Sequence, residues 1–487
     1  GSSYNIYANT TVSAKLGGAG SLNLHTGLTP ITLSGANTYG GATVIDGEGS
    51  VICASENVLP VGGALSLYDD STLNIGTFAQ SVATVNLYGG NLVGTTGVLT
   101  GTAYNVENGT IDVKLGGSGA VTKSNSYGTV TLGGSNLISD NSPLIVTAGT
   151  FDIGAFSDSV GAVTLSGGAI TGTSGVLSGS SFTVRDGTIS ANLGGTGALE
   201  KTTAGIVTLS GTNSYAGGTT VSAGALYGTT AALQGQIVNN SKVYIEQDAT
   251  GSYAGNMTGT GALYLIGAGN ITLSGMNSYA GGTYVFGGTL SLGSNNAIPD
   301  SGTLYIEDGA TLDVGTYNQT IGTLMAYTDI LGTGTLTGSG FTLVGFNGMT
   351  VNPKLAGTGT LEADTAGGFI KLMAANTYTG GTNVINEGTL VCGADNVLPD
   401  TGTVSVTGAI LDLNGKSDVI GPADANSGRV MMGTANMTTA GLRYSEEHVI
   451  TMDSRRMNAK AAEDFRHAYG VYLAGWNDLN QGSKACK

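Results

Sequence analysis

Few side chains in this sequence can act as acids, bases, nucleophiles or metal ligands, and those few are scattered. Charged residues make up 10% of the 487 residues, and there are three histidines and three cysteines. Adjacent carboxyl groups occur, for example, at Asp69-Asp70 and at Glu446-Glu447, which is followed by His448. Glycoside hydrolysis needs two carboxyl groups that flank a cleft, and zinc needs three or four converging ligands. Asp69-Asp70 lies in a turn-like Tyr-Asp-Asp-Ser-Thr segment, and the cluster at His448 lacks a second ligand group. We therefore expect no catalytic residues, no metal site and no cofactor.

The remaining reactive side chains fit structural roles better than chemical ones. His25 is the single histidine before residue 440 and has no nearby partner in the sequence. Cys53 and Cys392 occupy a position of a shared segment that Leu292 takes in a third copy. A thiol at a leucine position indicates a small buried hydrophobe, and we favour this over a disulfide, which would need the two cysteines to be close together. Gly-x-Gly strings such as 332–340 predict turns, because no strand–helix unit follows them as in a phosphate loop.

The composition predicts many short strands separated by tight turns. The chain contains 84 glycines but only 7 prolines, and 40% of its residues are hydrophobic. Apolar residues alternate with Thr, Ser and Asn in short runs, a period of two that is typical of strands. The net charge of −16 argues against nucleic acid or anionic membranes as partners, because both bind clustered cations. No membrane span is predicted, since an apolar run of about 18 residues is missing.

One motif recurs five times along the chain. Its copies contain ITLSGANTYGGATV, VTLGGSN, VTLSGTNSYAGGTTV, ITLSGMNSYAGGTYV and IKLMAANTYTGGTNV. Each copy has an anchor leucine that is followed four residues later by an asparagine. The anchors are Leu33, Leu132, Leu209, Leu273 and Leu372, and the asparagines are Asn37, Asn136, Asn213, Asn277 and Asn376. Related segments before and after the motif keep near-constant distances from the anchor, so the copies are units of one repeat.

Internal repetition of this kind predicts a solenoid. Glycine-rich segments supply the corners, where positive φ or close backbone approach is needed. With roughly 20 residues per coil, parallel strands of successive coils stack and bury a column of Leu, Val and Ile. We predict an all-β chain in which residues 1–440 form a right-handed parallel β-helix (β-solenoid). A short, partly helical C-terminal tail would follow at 441–487.

The five asparagines are expected to have a structural role at corners of the coils. Asparagine bonds nearby backbone groups and tolerates the left-handed conformation, and both properties suit a corner. Sugar binding by the same side chains is the less favoured alternative.

The best copies of the motif, LSGTNSYAGGTTV from Leu209 and LSGMNSYAGGTYV from Leu273, resemble the autotransporter-associated β-strand repeat of bacterial surface proteins. The resemblance covers roughly residues 4–440. The copy at Leu132 lacks the tyrosine and the Gly-Gly pair, and the copy at Leu372 has Met-Ala in place of Ser-Gly. This resemblance implies a right-handed parallel β-helix, export to the cell surface, and adhesion, autoaggregation or spacing. It implies no catalytic residues.

The C-terminal tail differs in composition from the repeats. It contains seven of the 17 basic residues and the chain's tryptophan, Trp476. At about 453–472, apolar residues that include Phe465 and Tyr469 recur at i, i+4, which predicts a helix. We interpret this helix as a cap over the last coil. The alternative is a docking element in which Phe465, Tyr469, Trp476 and an exposed Cys486 contact another subunit, with Cys486 forming an intermolecular disulfide.

The first residues begin inside a repeat. Tyr4 precedes Leu16 by nearly the same interval as that by which Tyr104 precedes Leu115 in a later copy. We hypothesise that the uncovered first coil, with Tyr4, accepts the end of another molecule. Such a contact propagates without closing and gives a filament or sheath.

These observations favour a non-enzymatic extracellular scaffold or adhesin. The alternative is a polysaccharide-acting enzyme, a lyase or glycoside hydrolase, because many right-handed β-helices have these activities. The expected partners are other copies of the chain, end to end, or a cell-surface or polysaccharide receptor, and nucleic acid is not expected. The expected location is extracellular or on the bacterial cell surface.

Overall fold

The protein is a parallel β-solenoid. The computed structural model describes residues 3–399, 401–416 and 418, and all regular secondary structure in them is β-strand. The fold class predicted from the repeats is thus confirmed for this part of the chain. The predicted tail at 441–487 lies outside the described residues. Within the described part, no helix is found that is long and apolar enough to cross a membrane.

The solenoid divides into two compact units. Unit one consists of Gly1–Glu246 with Gly255–Gly261, and unit two consists of Gln247–Ala254 with the described residues from Ala262 onward. In each unit we call sheet B the sheet that contains the strands of the anchor leucines, and sheet A the sheet that contains the strands after the Gly-Gly pairs. A coil contributes one strand to each, and some coils add a short third strand.

In unit one, sheet A is formed by Ser3–Tyr7, Ser21–His25, Thr43–Asp46, Leu65–Leu67, Thr84–Leu87, Ala103–Val106, Ala120–Lys123, Leu144–Val146, Asp158–Leu165, Val176–Val184, Leu199–Lys201, Thr219–Val221, Ile237–Asn239 and Met257–Thr258, with Asn192–Gly194 beside Val176–Val184. Sheet B is formed by Thr11–Val12, Ile31–Leu33, Ser50–Cys53, Thr72–Gly76, Asn91–Thr100, Gly109–Gly116, Thr129–Leu132, Thr150–Asp152, Ala169–Thr171, Gly187–Ile189, Ile206–Leu209, Ala225–Gly228 and Lys242–Glu246, with Gln80–Ser81 beside Asn91–Thr100. Gly17–Gly18 and Thr38–Tyr39 form a short third ladder.

In unit two, sheet A is formed by Ala262–Ile266, Thr283–Val285, Thr303–Ile306, Thr323–Ala326, Gly340–Val344, Thr360–Asp364, Thr382–Ile385 and Val404–Thr407. Sheet B is formed by Gly251–Tyr253, Asn270–Leu273, Thr289–Leu292, Thr311–Asp313, Ile330–Leu331, Met349–Val351, Phe369–Leu372, Thr389–Cys392 and Ile410–Asp412. The third sheet is formed by Asn318–Thr320, Thr335–Thr337, Lys354–Gly357 and Thr377–Tyr378.

Coil length varies around the predicted value. Tyr104 pairs in parallel with Val121, and Val121 pairs with Leu144, so the second of these successive coils is several residues longer than the first. Elsewhere the coils are closer to the predicted length, as between the paired residues Leu65 and Val85. The extra or missing residues lie in the corners, because the strands must keep their register for the inward side chains to stack.

The core is a set of apolar columns. Alternate residues of each strand point inward, as in Ser21–His25, where Leu22 and Leu24 are fully buried. All five anchor leucines are buried as well. Each such side chain contributes about 1.5–3 kcal/mol to folding, and the stacking of coils makes the columns continuous within a unit.

The predicted roles of two sequence features are confirmed here. Cys53 and Cys392 are buried and free, and burial raises the pKa of both thiols to about 12, because the thiolate would lose its hydration. Asp69 and Asp70 form a turn in which both have left-handed φ, 55° and 57°.

The Gly-Gly pair of the motif is required by the close stacking of coils. A Cβ at Gly217 would lie 2.4 Å from the backbone nitrogen of Ala198 in the preceding coil. The equivalent Gly41 and Gly380 meet preceding backbone at 2.7 Å. Here the missing side chain is what lets the next coil approach.

We expect Gly217→Ala to lower the free energy of unfolding by about 1–3 kcal/mol, because the backbone of the preceding coil must move away from the new methyl group. Gly62→Ala is the matched control, since a Cβ there meets nothing within 4 Å, and it should cause no loss. Chemical denaturation, with hydrogen exchange of residues 199–221, measures the effect. Equal stabilities of the two variants would contradict the requirement.

Candidate functional site

Buried amide side chains of the motif connect one coil to the next. The Oδ1 atom of Asn37 accepts a hydrogen bond from the backbone N–H of Leu16 at 2.8 Å, and its Nδ2 donates to the carbonyl of Val58 at 2.7 Å. Leu16 lies one coil before Asn37 and Val58 lies one coil after it. The side chain therefore satisfies backbone groups of both neighbouring coils, at a corner that water does not reach.

The same bridge recurs in later copies. Asn213 accepts from Leu193 N–H at 2.9 Å and donates to Ala232 O at 2.8 Å. Asn376 accepts from Leu355 N–H and donates to Val397 O, both at 2.7 Å. Asn277 donates to Ala297 O at 2.7 Å. These four asparagines are all buried, and each bonds backbone one coil away. Asn277 also donates to Gly275 O at 3.3 Å, the kind of local contact that the sequence suggested.

Asn136 is the exception among the five. Its side chain is exposed and its φ is 55°, so it alone has the left-handed conformation expected of a corner asparagine. The bridging role near it belongs to Asp158, whose Oδ2 accepts from the N–H groups of Leu137 at 2.8 Å and Ile138 at 3.2 Å.

Glutamines supply the same contact in other coils. Gln80 accepts from Val58 N–H at 2.9 Å, and Gln319 accepts from Ile298 N–H at 2.9 Å. The carbonyl of Val58 accepts from Asn37, and its N–H donates to Gln80. Bonded side chains therefore follow one another from coil to coil. We call this series of buried Asn, Gln and Asp side chains the corner ladder.

We expect Asn213→Ala to lower the free energy of unfolding by about 2–4 kcal/mol, because it leaves Leu193 N–H and Ala232 C=O buried without partners. Asn136→Gly is the control, since that side chain is exposed and glycine accepts its φ. The control should change stability by less than about 0.5 kcal/mol. Thermal and urea unfolding measure both, and a mild effect of Asn213→Ala would argue against the bridging role.

Asp158 places a carboxylate where the other coils use amides. It is buried, and its Oδ1 has no hydrogen-bond partner among the described residues. Burial raises the pKa of Asp158 to about 6, although the hydrogen bonds from Ile138 and Leu137 oppose the shift. The protonated form is thus favoured by folding, and ionising Asp158 destabilises the fold.

We expect Asp158→Asn to be more stable than the wild type at pH 7 and equal to it near pH 4. A carboxyl group whose pKa is raised by folding stabilises the fold at low pH, and this stability is lost as the pH rises through about 6. A rise of about two pH units corresponds to at most about 3 kcal/mol. Urea midpoints from pH 4 to 7 test this, with the exposed Asp140→Asn as control; a gap that does not grow with pH would contradict it.

A second buried contact accompanies the corner ladder in the complete copies. The hydroxyl of Tyr39 lies 2.5 Å from that of Thr43, and Tyr279 lies 2.6 Å from Thr283. The same pair occurs at Tyr215 and Tyr378, each with the threonine four residues later. Burial raises the pKa of these tyrosines, so they stay protonated. The Asn, Tyr and Thr side chains of the motif therefore all lie in the interior of the solenoid.

His25 has a partner, and the expectation that it stands alone is wrong. Its Nδ1 lies 2.8 Å from Asp46 Oδ1, and its ring stacks on Tyr7 with the centroids 4.9 Å apart. Tyr7, His25 and Asp46 are paired positions of three successive sheet A strands. This contact was not predictable from the sequence, because the pairing of His25 with Asp46 depends on the length of the coil between them.

Two lysines are buried at inward positions that are apolar in neighbouring coils. Lys123 donates to Asn125 O, and Lys201 donates to Thr203 O and to Ala223 O, the latter at 3.2 Å. Burial lowers the pKa of both ammonium groups, as expected of charge removed from water. Both ammonium groups donate to backbone carbonyls at the corners and so satisfy these groups.

The most prominent outward feature is a group of aromatic rings on sheet A of unit two. We define the aromatic stripe as Tyr264, Tyr284, Phe286, Tyr305 and Tyr327. Tyr264 and Tyr284 stack with centroids 5.0 Å apart and planes at 15°. Tyr284 and Tyr305 are 6.2 Å apart at 40°, and Tyr305 and Tyr327 are 5.7 Å apart at 57°.

Alternation in the strands produces the stripe. In Thr303–Ile306, Leu304 and Ile306 point inward and Tyr305 points outward. Phe286 is 45% exposed and the tyrosines are half-buried. The sequence signal of the stripe is an aromatic residue at the polar position of a strand, as in Leu-Tyr-Leu and Leu-Tyr-Ile.

The contact residues predicted from the chain ends are placed only in part. Tyr4 is half-buried and donates its hydroxyl proton to Gly17 O at 2.7 Å. Phe465, Tyr469, Trp476 and Cys486 lie outside the described residues, as do Glu446, Glu447 and His448. In the described part of the chain, no group of three or more His, Cys, Asp or Glu residues is placed to hold a metal ion.

The family described as Passenger-associated-transport-repeat matches residues 31–49, 199–227, 256–292 and 371–391. These segments hold the four motif copies with a buried asparagine and a Tyr–Thr pair, and the copy at Leu132 is not among them. The Adhesin BmaC autotransporter of Brucella suis biovar 1 (strain 1330) is 32% identical over 161 residues, which are 32% of this chain and 5% of that adhesin. This chain therefore matches only a small part of that relative's length. No solved structure matches the chain.

Proposed function

We propose that this chain, a β-solenoid of the autotransporter passenger type, is a non-enzymatic scaffold that acts in adhesion at the cell surface or after secretion. The observation that carries the proposal is the coincidence of the family motif with the interior contacts. The recurring N, Y, G-G and T positions build the corner ladder, the Tyr–Thr pairs and the close stacking of coils. The outward positions of the strands are left to present whatever side chains a partner requires.

The relation to an adhesin supports this function. The matched relative is named as an adhesin and an autotransporter, and the Passenger-associated-transport-repeat matches four segments of this chain. A surface-attached or secreted solenoid fits the acidic composition, because a net charge of −16 favours solubility. A cell-surface or polysaccharide receptor remains the expected kind of partner.

A non-enzymatic role also fits the placement of the carboxyl groups that were considered for catalysis. Asp69 and Asp70 are held in a left-handed turn, and Asp158 is buried with its Oδ2 bonded to backbone. None of these is a pair of carboxyl groups facing each other across a cleft, as glycoside hydrolysis requires.

We expect beads coated with the whole chain to attach to host-cell or matrix-coated surfaces at several times the level of control beads. The control beads carry an unrelated acidic protein of similar size at equal density, so that charge is matched. Attachment is counted under flow, and soluble chain should compete. Attachment equal to that of the controls, together with release of reducing or unsaturated sugar from a polysaccharide panel, would favour the enzyme instead.

Head-to-tail assembly is the second part of the proposal. Exposed strand edges of a solenoid are able to template association. Filaments on electron-microscopy grids of the whole chain would support it. A single monomeric species in light scattering at high concentration, with no filaments, would contradict it.

A further inference from the structure

The aromatic stripe is a continuous apolar surface on successive coils of unit two. Ring contacts run from Tyr264 to Tyr284 and Phe286, then to Tyr305, and from Tyr305 to Tyr327. Met325 follows Tyr305 at the paired position of the next strand and is also half-buried. Outward rows of this kind on a soluble solenoid are typical of interaction surfaces.

Carboxylates border the stripe at the corners that follow its strands. Glu307 accepts a hydrogen bond from the Tyr305 hydroxyl through Oε2 at 2.7 Å. Asp308 accepts from Asn347 at 3.5 Å, and Asp329 accepts from the backbone N–H of Thr350 at 2.6 Å. The ion pair of His25 with Asp46 lies elsewhere, in unit one. Among the described residues, no cation forms an ion pair with Glu307, Asp308 or Asp329.

We propose that the aromatic stripe and Glu307, Asp308 and Asp329 form a docking site for an arginine-bearing segment of a basic polypeptide. This deepens the adhesive function proposed above and rests on it for its biological setting. Arginine has the chemistry that fits both parts of the surface. Its planar guanidinium stacks on aromatic faces, and its forked N–H groups bond carboxylates in pairs.

Ring geometry favours this partner over a sugar. A sugar ring needs an open aromatic face to pack against. Tyr264 and Tyr284 are nearly parallel at 5.0 Å, so each covers a face of the other. The pairs around Tyr305 are tilted by 40° and 57° with centroids 6.2 and 5.7 Å apart, so edge-to-face contacts cover part of these ring faces as well. A guanidinium needs less of a ring face than a sugar does, and it also bonds the neighbouring Glu307. Electrostatic attraction to a chain of net charge −16 adds to the selection of a cationic partner.

The test is the binding of synthetic decapeptides to the whole chain, measured by calorimetry. The probes alternate serine with arginine, with lysine or with glutamate, and a neutral β-glucan oligosaccharide is the fourth probe. We expect the arginine peptide to bind several times more tightly than the lysine peptide, the glutamate peptide and the glucan not to bind, and added salt to weaken binding. Glu307→Gln and Tyr305→Ser should each weaken binding of the arginine peptide about tenfold.

Two controls match these substitutions elsewhere on the surface. Glu200→Gln removes the same charge from an exposed outward position of unit one, and Tyr127→Ser removes a tyrosine that is 94% exposed. Both should leave binding within about twofold of the wild type, and circular dichroism should show all variants folded. Because Glu307→Gln keeps the shape of the side chain, it tests the site even where Tyr305→Ser disturbs the strand.

The outcomes separate this inference from the proposed function. Equal weakening by Glu200→Gln and Glu307→Gln would show attraction to net charge alone and would overturn the site. Binding of the glucan that Tyr305→Ser abolishes would overturn the choice of partner. Attachment of coated beads without any binding of the arginine peptide would sink the inference and leave the adhesive function standing.

Discussion

Every coil of this solenoid has to turn corners, and at a corner the backbone N–H and C=O groups leave the regular ladder of the sheets. A corner that faces the interior has no water to satisfy those groups, and each one left unpaired costs about 1–3 kcal/mol. The corner ladder meets this constraint. An amide has a donor and an acceptor on one planar group, so Asn37 bonds the coil before it and the coil after it at once. Leucine columns and Gly-Gly corners then pack around corners whose backbone groups these amides bond.

This arrangement divides the sequence into two sets of positions with different freedom. Inward positions are set by contacts between coils, and the recurring motif consists of them. Outward positions face solvent, and their side chains differ from coil to coil. Tyr7, His25 and Asp46 occupy one outward row of unit one, and the aromatic stripe occupies another in unit two. Specificity for a partner in such a protein depends on rows of side chains that lie one coil apart in sequence and about 4.8 Å apart in space.

The sequence was sufficient to predict the repeated elements of the fold. It was insufficient to predict which side chains of different coils contact each other. The parallel solenoid, the buried anchor leucines, the free cysteines and the turn at Asp69-Asp70 all follow from local patterns or from the spacing of whole repeats. The partner of His25 and the order of the stripe depend on the register between coils, and coils of this chain differ in length. An error of one residue in coil length moves a side chain to the other face. Asn136 illustrates the same limit, because it matches the motif and yet lies outside the corner ladder.

The reach of the corner ladder also limits how the gene is able to change. Asn37 bonds Leu16 and Val58, and Asn376 bonds Leu355 and Val397. Each bridging amide therefore requires a bonding partner in the coil before it and in the coil after it. A duplication or deletion of one whole coil restores such neighbours, whereas the loss of a few codons leaves a bridging amide facing the wrong atoms. The unequal intervals between the anchors Leu33, Leu132, Leu209, Leu273 and Leu372 are consistent with growth and shrinkage by whole coils. In a gene of this kind the coil, and not the single residue, is the heritable unit of length.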